Sequence, residues 1–146
     1  MYLSQQYKEF ERLEKLGIIE KTAHSDWAAS TIYAERKNNM LRICADFSTG
    51  LNDYLISRNF PLPSPEEVFA QLNEGIFFST LDISEAYLQI QVEECSHLLT
   101  INTHRGLFEF KRLSFGVKVT PSIFHQLVDT MPFNCDIAIA YLDDTK

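Results

Sequence analysis

Ile76-Phe77-Phe78-Ser79-Thr80-Leu81-Asp82 and, further on, Asp136-Ile137-Ala138-Ile139-Ala140-Tyr141-Leu142-Asp143-Asp144 are the two stretches on which the fold turns. Each is a short apolar run of strand-forming composition that delivers acid at its end. A carboxylate at the end of a buried strand is costly if it is desolvated and unpaired, and no basic residue adjoins either run. If the two strands are sheet neighbours, about 5 Å apart, then Asp82, Asp143 and Asp144 converge on one point. Three carboxylates form an oxygen-only donor set, which favours magnesium or manganese. The same acids could instead cap turns at strand ends, and the residue types alone leave both readings open.

Outward from these runs, local patterns predict the remaining elements. Leu3, Tyr7, Phe10, Leu13 and Leu16 recur at helical spacing, and Gly17 follows as a stop. Residues 30–33 and 41–45 read as short strands joined by the polar turn Arg36-Lys37-Asn38-Asn39, a hairpin with a basic tip. Pro61, Pro63 and Pro65 make a stiff entry to a helix that Ser64-Pro65-Glu66-Glu67 opens with a capping box. That helix is expected to run to about Asn73, ahead of Gly75. Residues 98–102 and 107–113 read as two strands about a turn at His104-Arg105-Gly106. Thr120-Pro121 opens a helix with Ile123, Phe124, Leu127, Val128 and Met131 on one apolar face, and Pro132 ends it. The order helix, strand, strand, strand, helix, strand from Pro65 onward predicts helices packed on one mainly antiparallel sheet.

Bulk properties narrow the function only partly. The chain has 146 residues, 45% of them apolar, and no window apolar enough to span a membrane. Cys44, Cys95 and Cys135 are odd in number and widely spaced, which predicts reduced thiols in an intracellular protein. The four histidines lack ligand spacing, so no zinc site is expected. The net charge of -7 is unevenly spread: eight basic and eight acidic residues up to Phe60, five and twelve from Pro61 onward. An acidic half can be a solvated surface or a place where carboxylates gather to hold metal ions. Charge alone does not choose.

Five ordered motifs add a family resemblance. Tyr141-Leu142-Asp143-Asp144 resembles the Tyr-X-Asp-Asp signature of reverse transcriptases. Residues 78–90, with Asp82 followed by Ile83-Ser84-Glu85-Ala86-Tyr87, resemble their first catalytic motif. Phe108-Glu109-Phe110, Leu113-Ser114-Phe115-Gly116-Val117-Lys118 and Pro121-Ser122-Ile123-Phe124 resemble the intervening motif. Leu41-Arg42-Ile43-Cys44-Ala45-Asp46-Phe47 with Leu51-Asn52 resembles the fingers segment, and Phe60-Pro61-Leu62-Pro63 follows it. The likeness spans residues 11–144 and is to polymerases of long-terminal-repeat retrotransposons, the gypsy class above all.

The resemblance implies an α+β chain: right-hand polymerase fingers plus an incomplete palm, with residues 1–60 forming the helix and fingers-like hairpin and 61–146 the partial palm. It implies RNA-directed DNA polymerisation by two-metal nucleotidyl transfer, with template, primer and deoxynucleoside triphosphates as partners. Asp82, Asp143 and Asp144 would be catalytic, and with the Ile83 carbonyl would ligate two magnesium (or manganese) ions. Arg42 and Lys37 would contact the triphosphate, and the Ala86 amide would donate to it. Tyr87 would pack under the sugar and exclude a 2′-hydroxyl. Phe115 and Gly116 would line the pocket, and Asp46 would brace the fingers near the template. Lys37 could instead be a solvated loop lysine, and an aromatic at Tyr87 could simply be core.

Three departures stand out. Ser114 replaces a usual proline, so a less rigid backbone is expected there. Residues 46–52 carry one residue more than the commoner version, and 116–141 are a few short. Only Thr145 and Lys146 follow the acidic doublet. The return strand, thumb and RNase H of a longer polyprotein are therefore expected elsewhere, and the chain alone is expected to polymerise little. A second reading is a non-catalytic remnant that binds nucleic acid or protein.

Overall fold

In the computed structural model, which describes residues 2–35, 41–48, 50–57, 61, 63–72, 75–131 and 139, the chain begins with helix α1, Tyr2–Lys15. Its end is dictated by Gly17, whose φ of +66° lies in the left-handed region that favours glycine. There the Ile18 amide donates to the Leu13 carbonyl at 2.9 Å and the Gly17 amide to that of Glu14 at 3.0 Å. This double closure satisfies carbonyls that the helix end leaves open, and Ile18 and Leu13 both join the core. The buried stripe is narrower than the periodicity predicts. Gln6, Phe10 and Leu13 face inward, while Leu3, Tyr7 and Leu16 stay largely exposed.

Strands β1 (Ile19–Thr22), β2 (Ala29–Glu35), β3 (Leu41–Asp46), β4 (Thr100–Thr103) and β5 (Gly106–Phe110) form one sheet in the order β1-β5-β4-β2-β3. The expected hairpins are both present. β2 and β3 pair antiparallel from Ser30↔Asp46 to Glu35↔Leu41, a longer ladder than the sequence predicts. β4 and β5 pair from Thr100↔Glu109 to Thr103↔Gly106, and Gly106 closes the turn at φ +108°. β1 lies antiparallel on the far side of β5. A short parallel contact, Ala29↔Ile101 and Ser30↔Asn102, joins the two hairpins. The sheet is thus mixed and mainly antiparallel.

Alternation sorts its faces. In β3, Leu41, Ile43 and Ala45 are buried and Arg42, Cys44 and Asp46 are half-buried. Ile101, Phe108 and Phe110 join the same core, and α1 covers it with Phe10, whose ring centroid lies 5.4 Å from that of Phe108. The predicted strand at 107–113 changes partners midway. Beyond Phe110, Val92 donates to the Lys111 carbonyl and Leu113 to that of Ile90, both at 2.9 Å. The strand predicted from residue 98 starts at Thr100, because Ser96–Leu99 wind into a 3-10 turn.

Helix α2 (Leu51–Tyr54) follows β3, and α3 (Pro65–Gln71) carries the predicted capping box. Ser64 accepts from the Glu67 amide, Glu67 accepts from the Ser64 amide, and the helix stops at Leu72. Helix α4 (Thr120–Thr130) buries Thr120, Phe124, His125 and Val128, a face rotated from the predicted one, and Ile123, Leu127 and Met131 lie outside it. No helix among the described residues is long and apolar enough to cross a membrane.

One expectation is corrected. Residues 76–82 form no strand, and Phe77 and Leu81 are over nine-tenths exposed. A strand needs a ladder partner for its backbone groups, and none of β1–β5 pairs with this run. Its β-prone composition could not say which neighbour would take it. The other run, 136–142, lies outside the described residues except for Ile139.

These contacts yield two expectations for stability. Phe108→Ala should lower the unfolding free energy by about 3–5 kcal/mol, and Leu3→Ala by no more than about 0.5 kcal/mol; urea unfolding measures both. The second concerns Glu109, which accepts from the Ser96 hydroxyl and has the Lys111 ammonium at 3.2 Å. The Ser96 bond, opposed by partial burial and aided by Lys111, holds its carboxyl below the usual range. A carboxylate lowered on folding stabilises above its unfolded pKa, and that contribution fades as pH falls through the folded value. Urea midpoints should therefore drop less between pH 6 and pH 3 in Glu109→Gln than in the parent, and equal drops would contradict this.

Candidate nucleotide site

Four elements bring aromatic rings and one guanidinium together. Arg42 extends from β3, Phe115 from the loop before α4, Tyr87 from the 3-10 turn Ala86–Gln89, and Phe124 from α4. The Arg42 guanidinium carbon lies 4.2 Å from the Phe115 ring centroid, within the range of cation–π attraction. The Phe115 ring lies 4.9 Å from that of Tyr87, which meets Phe124 edge-on at 5.5 Å. The Arg42 Nε is buried with no hydrogen-bond partner among the described residues. A buried donor left unsatisfied costs about 1–3 kcal/mol, and an anionic oxygen brought to it would relieve that. A guanidinium suits phosphate oxygens in particular.

The loop carrying Phe115 is held to β3 by an exclusion. Gly116 has φ +97°, and a Cβ built there would stand 2.1 Å from the Ala45 carbonyl oxygen. Only glycine permits that approach. Asn52, on α2, then grips both sides of the loop. Its Nδ2 donates to the Gly116 carbonyl and its Oδ1 accepts from the Lys118 amide, each at 2.8 Å. Sequence reasoning placed Asn52 in a motif without giving it a role. Its one signal was a side chain that both donates and accepts, just beyond a strand. Ser114, where a less rigid backbone was expected, is buried, and its carbonyl accepts from the Thr120 hydroxyl at 3.1 Å. Asp46 accepts from the Ser48 hydroxyl and amide, and these bonds hold its carboxyl below the usual range.

Asp82 and Ile83 lie on the exposed segment that leads into the Ala86–Gln89 turn. Glu85, at the head of that turn, takes φ +51°. Its carboxylate accepts two bonds from Arg12 on α1, at 2.8 and 3.1 Å. Of the residues named from the sequence, Arg42, Tyr87, Phe115 and Gly116 are gathered around one loop, and Ala86 adjoins Tyr87. Lys37, Asp143 and Asp144 lie outside the described residues. Among the described residues no group of three or more His, Cys, Asp or Glu side chains could hold a metal ion. Asp82 and the Ile83 carbonyl offer oxygen donors only, a chemistry that fits magnesium or manganese better than softer ions.

Comparison with known proteins bears on this arrangement. The family described as reverse transcriptase (RNA-dependent DNA polymerase) matches residues 34–146. A Caenorhabditis elegans protein, K02A2.6, is 37% identical over 139 residues, 93% of this chain and 11% of its own length. The Transposon Tf2-7 polyprotein of Schizosaccharomyces pombe is 29% identical over 118 residues, 80% of this chain and 9% of the polyprotein. The chain thus spans about a tenth of the length of these curated relatives. Among solved structures, a foamy viral protease-reverse transcriptase in complex with double-stranded DNA superposes with a TM-score of 0.81. That likeness covers 96% of this chain and 29% of the other at 14% identity, and it bears on the fold alone.

The close approach at residue 116 sets a clear expectation. Gly116→Ala should destabilise the chain by at least about 2 kcal/mol, since strain at positive φ adds to a clash with backbone. A thermal midpoint within a degree of the parent would contradict it.

Proposed function

The chain belongs to the reverse transcriptase (RNA-dependent DNA polymerase) family, and from that premise we propose that it forms the fingers (residues 1–60) and leading part of the palm (61–146) of a gypsy-class retrotransposon polymerase. The reaction is transfer of a deoxynucleotide to a primer 3′-hydroxyl on an RNA or DNA template, with pyrophosphate leaving. The observation that carries this reading is the Arg42–Phe115–Tyr87 stack with its unsatisfied buried Nε.

Each residue has a physical task. Arg42, with Lys37, binds triphosphate oxygens, and the Ala86 amide donates to the same group. The Tyr87 ring, packed between Phe115 and Phe124, supports the sugar and leaves no room for a 2′-hydroxyl. Phe115 and Gly116 form the pocket wall, where a glycine lets the backbone come close. Asp82, Asp143 and Asp144, with the Ile83 carbonyl, hold two magnesium (or manganese) ions. Bound there, such ions supply charge neutralisation for the triphosphate and acidify the primer hydroxyl.

The acidic second half repels a nucleic-acid backbone. Grip on the duplex therefore comes from thumb and RNase H segments of a longer polyprotein, consistent with relatives of roughly tenfold greater length. The working site is intracellular, where deoxynucleoside triphosphates are found.

Equilibrium binding of dGTP to the chain in magnesium tests this reading. Binding should vanish on chelation, weaken at least about tenfold in Arg42→Ala, the loss of one charge-assisted contact, and be lost in Asp82→Asn and Asp143→Asn. A chain that binds no dGTP, or binds it equally well in all three variants, would refute the proposal.

A further inference from the structure

Glu85 is not glycine, yet it holds φ +51° and ψ +42°, a conformation that L-residues with a side chain seldom keep without outside support. The support comes from a residue 73 positions away. Arg12 Nη2 donates to Glu85 Oε1 at 2.8 Å and Arg12 Nη1 to Oε2 at 3.1 Å, a parallel fork. Arg12 is itself steadied by Glu9, which accepts from Nε and Nη2, both at 2.8 Å. The fork projects from a helix anchored by buried Phe10 and Leu13, and the Glu85 side chain is only about one-fifth exposed.

The turn after Glu85 closes on itself. The Leu88 amide donates to the Glu85 carbonyl at 2.9 Å, and Gln89 Nε2 donates to the Ser84 carbonyl at 3.0 Å. Arg112 Nη1 donates to the Gln89 carbonyl at 3.1 Å. Three of the contacts that hold this unit against the rest of the fold are the rings on Tyr87, the Arg112 bond to the Gln89 carbonyl and the fork on Glu85. A slip at Glu85 would tilt the ring of Tyr87 and the amide of Ala86 together.

We propose that Arg12 is a positioning residue for the nucleotide site: by clamping Glu85 it fixes the turn that carries Ala86 and Tyr87, and so sets how strictly deoxynucleotides are preferred over ribonucleotides. The inference rests on the nucleotide-site reading of Tyr87. It differs from a plain surface ion pair in what it predicts, because a surface pair would touch stability and leave selectivity alone.

The test compares dGTP with GTP binding, in magnesium, for the chain and for Arg12→Gln, Glu9→Gln and the exchanged pair Arg12→Glu with Glu85→Arg. Hydrogen exchange at amides 86–88, and at Ile101 and Phe108 as core reporters, accompanies each. Arg12→Gln should lower the preference for dGTP about tenfold, as small displacements of a positioning group do, and speed exchange at 86–88 with the core amides unchanged. Glu9→Gln should stay within about twofold of the parent, its contact with the turn being indirect, and the exchanged pair should recover most of the preference. A parent chain that binds no dGTP overturns the nucleotide-site reading and this inference with it. A parent that binds dGTP while Arg12→Gln keeps its preference, or while core and turn amides lose protection together, overturns this inference alone.

Discussion

The contact between Gly116 and the Ala45 carbonyl is the constraint on which the site depends. It is an absence of atoms rather than a bond: the missing Cβ lets a loop from the second half of the chain lie against a strand from the first. Once that approach is made, Asn52 can reach both the Gly116 carbonyl and the Lys118 amide. Phe115 then falls over the Arg42 guanidinium, and Tyr87 meets Phe115. Each later contact is individually modest, but all require the backbone spacing that the glycine fixes.

The arrangement also explains how an acidic chain can offer a place for an anion. Net charge is a property of the whole surface, whereas the guanidinium of Arg42 is set against an aromatic face with its Nε shielded from water. A partly desolvated cation of this kind acts at short range, where the local dielectric strengthens it. Overall charge and local electrostatics are therefore separate quantities here.

Much of the fold was legible wherever the cause was local. Gly17 ends α1, Ser64 and Glu67 cap α3, and alternation in β3 marks its inner face, because each signal lies within a few residues of its effect. Arg42, Tyr87, Phe115 and Gly116 were singled out through ordered motifs, and the structure places them around one loop. What the sequence concealed was set at a distance. The run at 76–82 has a strand's composition but no described ladder partner. The faces of α1 and α4 shift because the partner surface, not the helix, decides which residues it covers. Neither the Asn52 grip nor the Arg12–Glu85 fork leaves any periodic trace, since each joins residues more than sixty positions apart.

Strand order carries a consequence for how the chain is made. β1, β2 and β3 all come from the first 46 residues, yet β1 stands at one end of the sheet and β2–β3 at the other, with β4–β5 inserted between them. The early strands have no contact with one another across that gap until the later hairpin arrives. During vectorial synthesis β2 and β3 can pair with each other at once, whereas the edges of β1 and β2 that face the gap stay open until residues 100–110 leave the ribosome. Such late, long-range closure slows folding and lengthens the time in which edges are open to wrong partners. Among the described strands, β4 and β5 are the last laid and the ones that join the two ends of the sheet, so chaperone demand should peak just before they emerge.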